Sequence, residues 1–131
     1  MSTNSNARAD SCLRWSLACL VIIFGCGKPY QVQPQVAVNT LKAALDGWKN
    51  GKTPDSFKDA KPPIIVQDMD WMGGAKLIAF EIQDEGKPVD ANLYAKVKLK
   101  LHDSTGAESE KIVTYCVGTS PSLTVFRDML H

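Results

Sequence analysis

With 131 residues, the chain has room for a single domain with a modest apolar core. Fifteen Lys and Arg stand against 14 Asp and Glu, with a formal net charge of +1 at pH 7. So even a balance gives no field to draw in nucleic acid, whose recognition rests on cations set against phosphates, and nucleic acid is excluded as a partner.

Residues Met1 to Arg14 are polar, rich in Ser and Asn, and slightly positive, and Trp15 to Phe24 form an uninterrupted run of ten apolar or small residues. That layout predicts a signal peptide over residues 1–25. Ten residues of helix reach about 15 Å, half of a hydrocarbon core of about 30 Å, so the run is too short to stay as a spanning helix. It ends in Ile23-Phe24-Gly25-Cys26. These residues resemble the lipobox of bacterial lipoproteins: Ile23, Gly25 and Cys26 match it, and Phe24 departs, standing where the family carries a small or polar residue.

The resemblance covers residues 1–27 and implies cleavage before Cys26, diacylglycerol on its thiol and usually a third acyl chain. Several chains together give stable anchoring where one gives only marginal binding. Gly27, rather than Asp, resembles lipoproteins sent on to an outer membrane. Two other readings compete. A buried N-terminal element of a cytoplasmic domain is opposed by Gly25, Gly27 and Pro29 directly after the run, and secretion with a free N-terminus by the lack of an A-x-A-like site before Gly27.

Removing the first 25 of 131 residues leaves 106, and removing Arg8, Arg14 and Asp10 leaves 13 basic and 13 acidic side chains, a net charge of zero. Cys12 and Cys19 go with the leader and Cys26 takes lipid, leaving Cys116 as a lone thiol with no internal disulfide. It lies in the apolar stretch Ile112 to Val117, where a buried, inert thiol is expected. Gly27 to Pro34, with two prolines and no periodicity, reads as a tether, so that residues 26–34 form the lipidated N-terminus and 35–131 the domain.

From Gln35 the pattern turns helical, with Val38, Leu41, Leu45 and Trp48 at spacings of three and four and a stop near Asn50-Gly51. A second, shorter helix is predicted from Thr53-Pro54 through Phe57, ended by Lys61-Pro62-Pro63. Ile64 opens a strand that could reach Met69, and Asp70 to Gly74 reads as a turn or bulge. Lys76 to Gln83 alternates with Ile78, Phe80 and Ile82 on one face.

Asn92 to His102 alternates most cleanly: Leu93, Ala95, Val97, Leu99 and Leu101 face one way, Tyr94, Lys96, Lys98, Lys100 and His102 the other. A turn at Asp103 to Gly106, a strand over Lys111 to Gly118, a turn at Ser120 to Ser122 and a strand from Leu123 to Asp128 follow. The expected class is α+β: one long helix, with a short second one, packed on a curved antiparallel sheet of about four strands in meander order. This arrangement looks like the cystatin-like and nuclear-transport-factor-2-like superfold. The Q-x-V-x-G wedge of cystatin inhibitors is absent, since Gln31 to Gln35 lacks its Val and Gly positions.

Nothing in the sequence points to a catalytic set, a cofactor or a metal. Relatives of that superfold that are enzymes need an acid or His inside the cavity, and none of the five inward residues of Asn92 to His102 can move a proton. Asp68 and Asp70 place two acids on one strand face, too few ligands for a divalent cation, and read as a solvated strand end. His102 beside Asp103 reads as a surface His at a turn. Trp48, Trp71 and Asp70 are the candidate ligand or pocket residues, with core packing an equal explanation for the indoles.

Lys96, Lys98 and Lys100 form a basic stripe, with Glu108 and Glu110 placed to neutralise it across the hairpin. If left free, the stripe is a docking surface for anionic headgroups, an acidic partner or a second copy. Two functions of different class are thus expected. The first is a membrane-anchored envelope lipoprotein whose domain, without catalysis, binds a protein, a peptide or a small molecule, or forms a homodimer through the sheet face. The second is a cavity-based hydrolase or isomerase with Asp70 or His102 as base.

Overall fold

The computed structural model describes residues 30–130. The residues expected to form a leader, with Ile23, Gly25 and Cys26, lie outside the described residues. The domain is α+β, one long helix on a curled mixed sheet of six strands.

Helix α1 covers Pro34–Lys49, with proline in the first turn, where its missing N–H costs nothing. Gly51, at φ +85°, lets the chain leave the helix: its N–H donates to the Trp48 carbonyl and that of Lys52 to the Gly47 carbonyl. That pair of bonds is a Schellman ending. Ala37, Leu41, Ala44, Leu45 and Trp48 make the buried stripe. A 3-10 helix, Pro54–Asp59, follows and buries Phe57.

Strand β1 is Ile64–Gln67, α2 is a single turn, Met69–Met72, and β2 is Lys76–Ile82. A short β3, Lys87–Val89, returns into β4, Asn92–His102, followed by β5, Glu108–Gly118, and β6, Leu123–Asp128. The sheet order is β1-β6-β5-β4-β2, with β3 also paired to β4. Strands β4, β5 and β6 form the expected antiparallel meander. Leu93, Ala95, Val97, Leu99 and Leu101 of β4 join the α1 stripe, Tyr115, Val117 and Val125 in one core.

Four expectations are corrected. The sheet is not a pure four-strand meander, because β1 pairs in parallel with the last strand, β6, and not with its successor β2 at the opposite edge. The strand from Ile64 stops at Gln67, since the Asp68 side chain caps a helical turn where a strand continuation or a loose turn is expected. In β2 a bulge between Leu77 and Ala79 breaks the alternation, so Leu77 is buried and Ile78 turns outward, while Phe80 and Ile82 keep their inward face. The stretch read as a tether is partly fixed where it is described, since Val32 is buried and its N–H donates to the Asp90 carbonyl at 2.9 Å.

The core accounts for the mutational sensitivity of the domain. Leu99→Ala should cost about 2–5 kcal/mol through lost burial and a residual cavity, whereas Ile112→Ala, at a side chain 62% exposed, should stay within about 0.5 kcal/mol. Urea denaturation of the two variants compares them.

Candidate functional site

The polar centre of the domain grows from Asp68, an acid with its residue only 2% exposed. It leaves β1 with extended φ and ψ and places its carboxylate under the first turn of α2, where the Asp70 and Trp71 N–H groups donate to Oδ1 at 2.9 and 3.2 Å. A buried carboxylate needs more than two amides. Arg127, from β6, donates from Nη2 to both oxygens at 3.0 and 2.9 Å and from Nε to Oδ2 at 3.2 Å. The Tyr115 hydroxyl, from β5, donates to Oδ2 at 2.5 Å.

Both oxygens of Asp68 are thereby saturated. Burial first, then the Asp68 charge, pushes the Tyr115 phenol far above its usual range, so it remains a donor. Burial opposes the charge of Arg127, yet Tyr115 and Asp68 hold its pKa above the ordinary value.

Asp70, one turn on, receives Arg127 Nη2 at 3.0 Å and Lys111 Nζ at 2.8 Å. Burial raises its pKa, but the hydrogen bonds and charges of Lys111 and Arg127 outweigh that and hold the carboxyl below the usual range. Two carboxylates and two cations thus join β1, α2, β5 and β6 in one neutral cluster. A carboxyl so stabilised as the anion and doubly paired is a poor general base.

Trp71, on the other side of α2, stacks on Trp48 with ring centroids 5.1 Å apart and 5° between planes, and Phe57 meets it edge-on at 5.8 Å. Each indole N–H is used: that of Trp48 donates to the Ala75 carbonyl and that of Trp71 to the Lys52 carbonyl, both at 2.8 Å. The stack and its two bonds tie the end of α1 to α2 and to the chain that follows it. It borders a groove of about 540 Å³, with Lys52, Thr53, Asp55, Met72 and Lys76 on its walls. Trp48 and Trp71 are only 3% and 7% exposed, so they offer the groove little surface while packing on each other.

The structure brings Trp48 and Trp71 together and turns Asp70 away from the groove toward Arg127 and Lys111. Asp68 is a buried cap, not the solvated strand end expected from sequence. Compared with known proteins, the chain matches no family model, no curated protein and no solved structure. Among the described residues, no group of three or more His, Cys, Asp or Glu could hold a metal ion.

Lys96, Lys98 and Lys100 lie on the uncovered sheet face, and the cross-strand acids meet two of them, Glu108 on Lys100 at 2.9 Å and Glu110 on Lys98 at 3.9 Å. Glu81 of β2 stands directly opposite Lys98. The stripe is largely neutralised within the sheet. Cys116 is on this same face, half-buried, not in the core, because Tyr115 and Val117 take the inward positions of β5. Burial pushes its thiol up, which keeps it protonated and unreactive. Asp103 is spent on its own turn, accepting from the Thr105 and Ala107 N–H groups at 2.9 Å, while His102 pairs in register with Glu108.

Tyr115, Lys111 and Arg127 are the partners that sequence reasoning missed. The signal was there for Arg127: it shares the parity of Val125, so a cation falls on an inward-facing position and requires a buried acid.

The cluster sets an acid limb on stability. With the folded pKa of Asp70 below its unfolded value, its contribution is complete above the unfolded pKa and is lost as pH falls through the folded one. Stability should therefore drop from about pH 5 downward, and Asp70→Asn should show a shallower drop over the same range in urea midpoints measured against pH.

Proposed function

We propose that this chain is an exported, membrane-anchored envelope lipoprotein, cut before Cys26 and lipidated there, whose domain binds or assembles without catalysis. The observation that carries the anchor is the polar stretch and apolar run ending in Ile23-Phe24-Gly25-Cys26. Gly27 after the cysteine favours an outer membrane.

What supports a binding role is the use made of each ionisable group inside the domain. Catalysis by proton transfer needs a lone pair or proton left over and aimed at a cavity. Asp68 and Tyr115 have none to spare, and the inward face of β4 is aliphatic and filled. Recognition then falls to the outside, where the groove beside Trp48 and Trp71 and the open sheet face are the surfaces for a protein, a peptide, a small ligand or a second copy. A helix lying on one face of a curled sheet supports a cystatin-like ancestry, against which stands the parallel β1–β6 pair.

The mass of the mature N-terminus from native membranes tests the anchor. The expected species begins at Cys26 with diacylglycerol and an amide-linked acyl chain, and Cys26→Ser should accumulate as the uncut precursor. Soluble protein retaining Met1 with a free Cys26 thiol would contradict the proposal.

A further inference from the structure

The attachment of the tether to the domain fixes which end of the molecule can meet a bilayer. Val32 is buried, its N–H bonds the Asp90 carbonyl in the β3–β4 turn, and the Gln33 N–H donates to Thr119 Oγ1 in the β5–β6 turn at 3.1 Å. The tether is therefore held to one pole, made of Asp90, Ala91 and the turn through Ser122. All of the long elements start or end there: α1 leaves it at Pro34, β4 at Asn92, and β5 arrives at Gly118.

The opposite pole carries the β4–β5 turn, the start of β2 and the Trp48 end of α1 with its groove, because Lys76 pairs with His102 at the far end of β4. Helix α2 lies between the poles, following Gln67, which the register sets level with Tyr94 through Phe126 and Cys116. The eleven residues of β4 put roughly 33 Å between the poles at the usual strand rise.

Six residue spacings separate Cys26 from Val32, at most about 20–22 Å of extended chain. A domain standing on its β4–β5 turn would lift Val32 farther from the surface than that.

We propose that the domain stands on the bilayer by its β3–β4 and β5–β6 turns and presents the Trp48 end of α1, with its groove, and the β4–β5 turn to the aqueous space. The inference rests on lipid at Cys26. The bilayer is then the neighbour of the tether pole, and whatever the groove binds approaches from the side away from the membrane. The neutralised lysine stripe gives the sheet face no net pull toward anionic headgroups that would tip the domain onto its side.

The test uses the natural lipidated protein in vesicles of neutral and anionic phospholipid that carry a photoreactive group on the lipid headgroup. Labelled peptides are mapped by mass spectrometry, and the N-terminal mass is read from the same sample. On protein acylated at Cys26, label should be severalfold richer over residues 87–91 and 119–122 than over 103–106. Lengthening the tether with a flexible Gly-Ser insert after Gly27 should erase the difference. Equal labelling of both poles, or enrichment over residues 103–106, on acylated protein would overturn the orientation while leaving the anchor intact. A chain found without lipid at Cys26 would overturn both, and the mass distinguishes the two cases.

Discussion

A carboxylate removed from water must be paired, and in this domain that constraint falls on Asp68. An isolated buried charge costs several kcal/mol or more, and the attraction of a partner repays it only when the remaining hydrogen-bonding positions are also filled. Arg127 supplies the charge, Tyr115 a hydroxyl and α2 two amides. Those partners come from β5, β6 and the turn after β1, so satisfying one acid brings the first strand beside the last. The parallel β1–β6 pair then obliges the chain to cross from one sheet edge to the other over residues 68–75. The Trp48–Trp71 stack and its two indole hydrogen bonds fasten that crossing to the end of α1.

Local signals in the sequence carry local structure well. The spacing of Leu41, Leu45 and Trp48 and the stop at Gly51 mark α1 because helix periodicity and a left-handed ending are properties of neighbouring residues. The alternation over Asn92 to His102 is equally clear, since one side of that strand is core and the other water. The β1–β6 pairing joins residues about sixty positions apart, and no periodicity records it. The bulge at Ile78 and the three-residue β3, which contains Pro88, break the patterns by which strands are recognised.

The site was legible in its surface and opaque in its centre. The nearness of Glu108 and Glu110 to the lysines is legible from the hairpin, and both contacts run diagonally, since the register sets Glu110 opposite Lys100 and Glu108 opposite His102. Asp68 and Asp70 look alike in sequence, two acids on either side of Met69, yet one is buried beneath a helical turn and the other bridges Arg127 and Lys111. The difference lies in the cap geometry. With the polar groups inside the domain spent on holding it together, the groove and the open sheet face are the surfaces left facing outward.

The most direct test of this dependence is native-state hydrogen exchange on Asp68→Asn, a change that keeps the helix cap and removes the charge facing Arg127. The account predicts that amides of β1 and β6 lose protection by much more than those at the centre of the β4–β5 pair. Unchanged protection in β1 and β6 would contradict the central place given to this carboxylate.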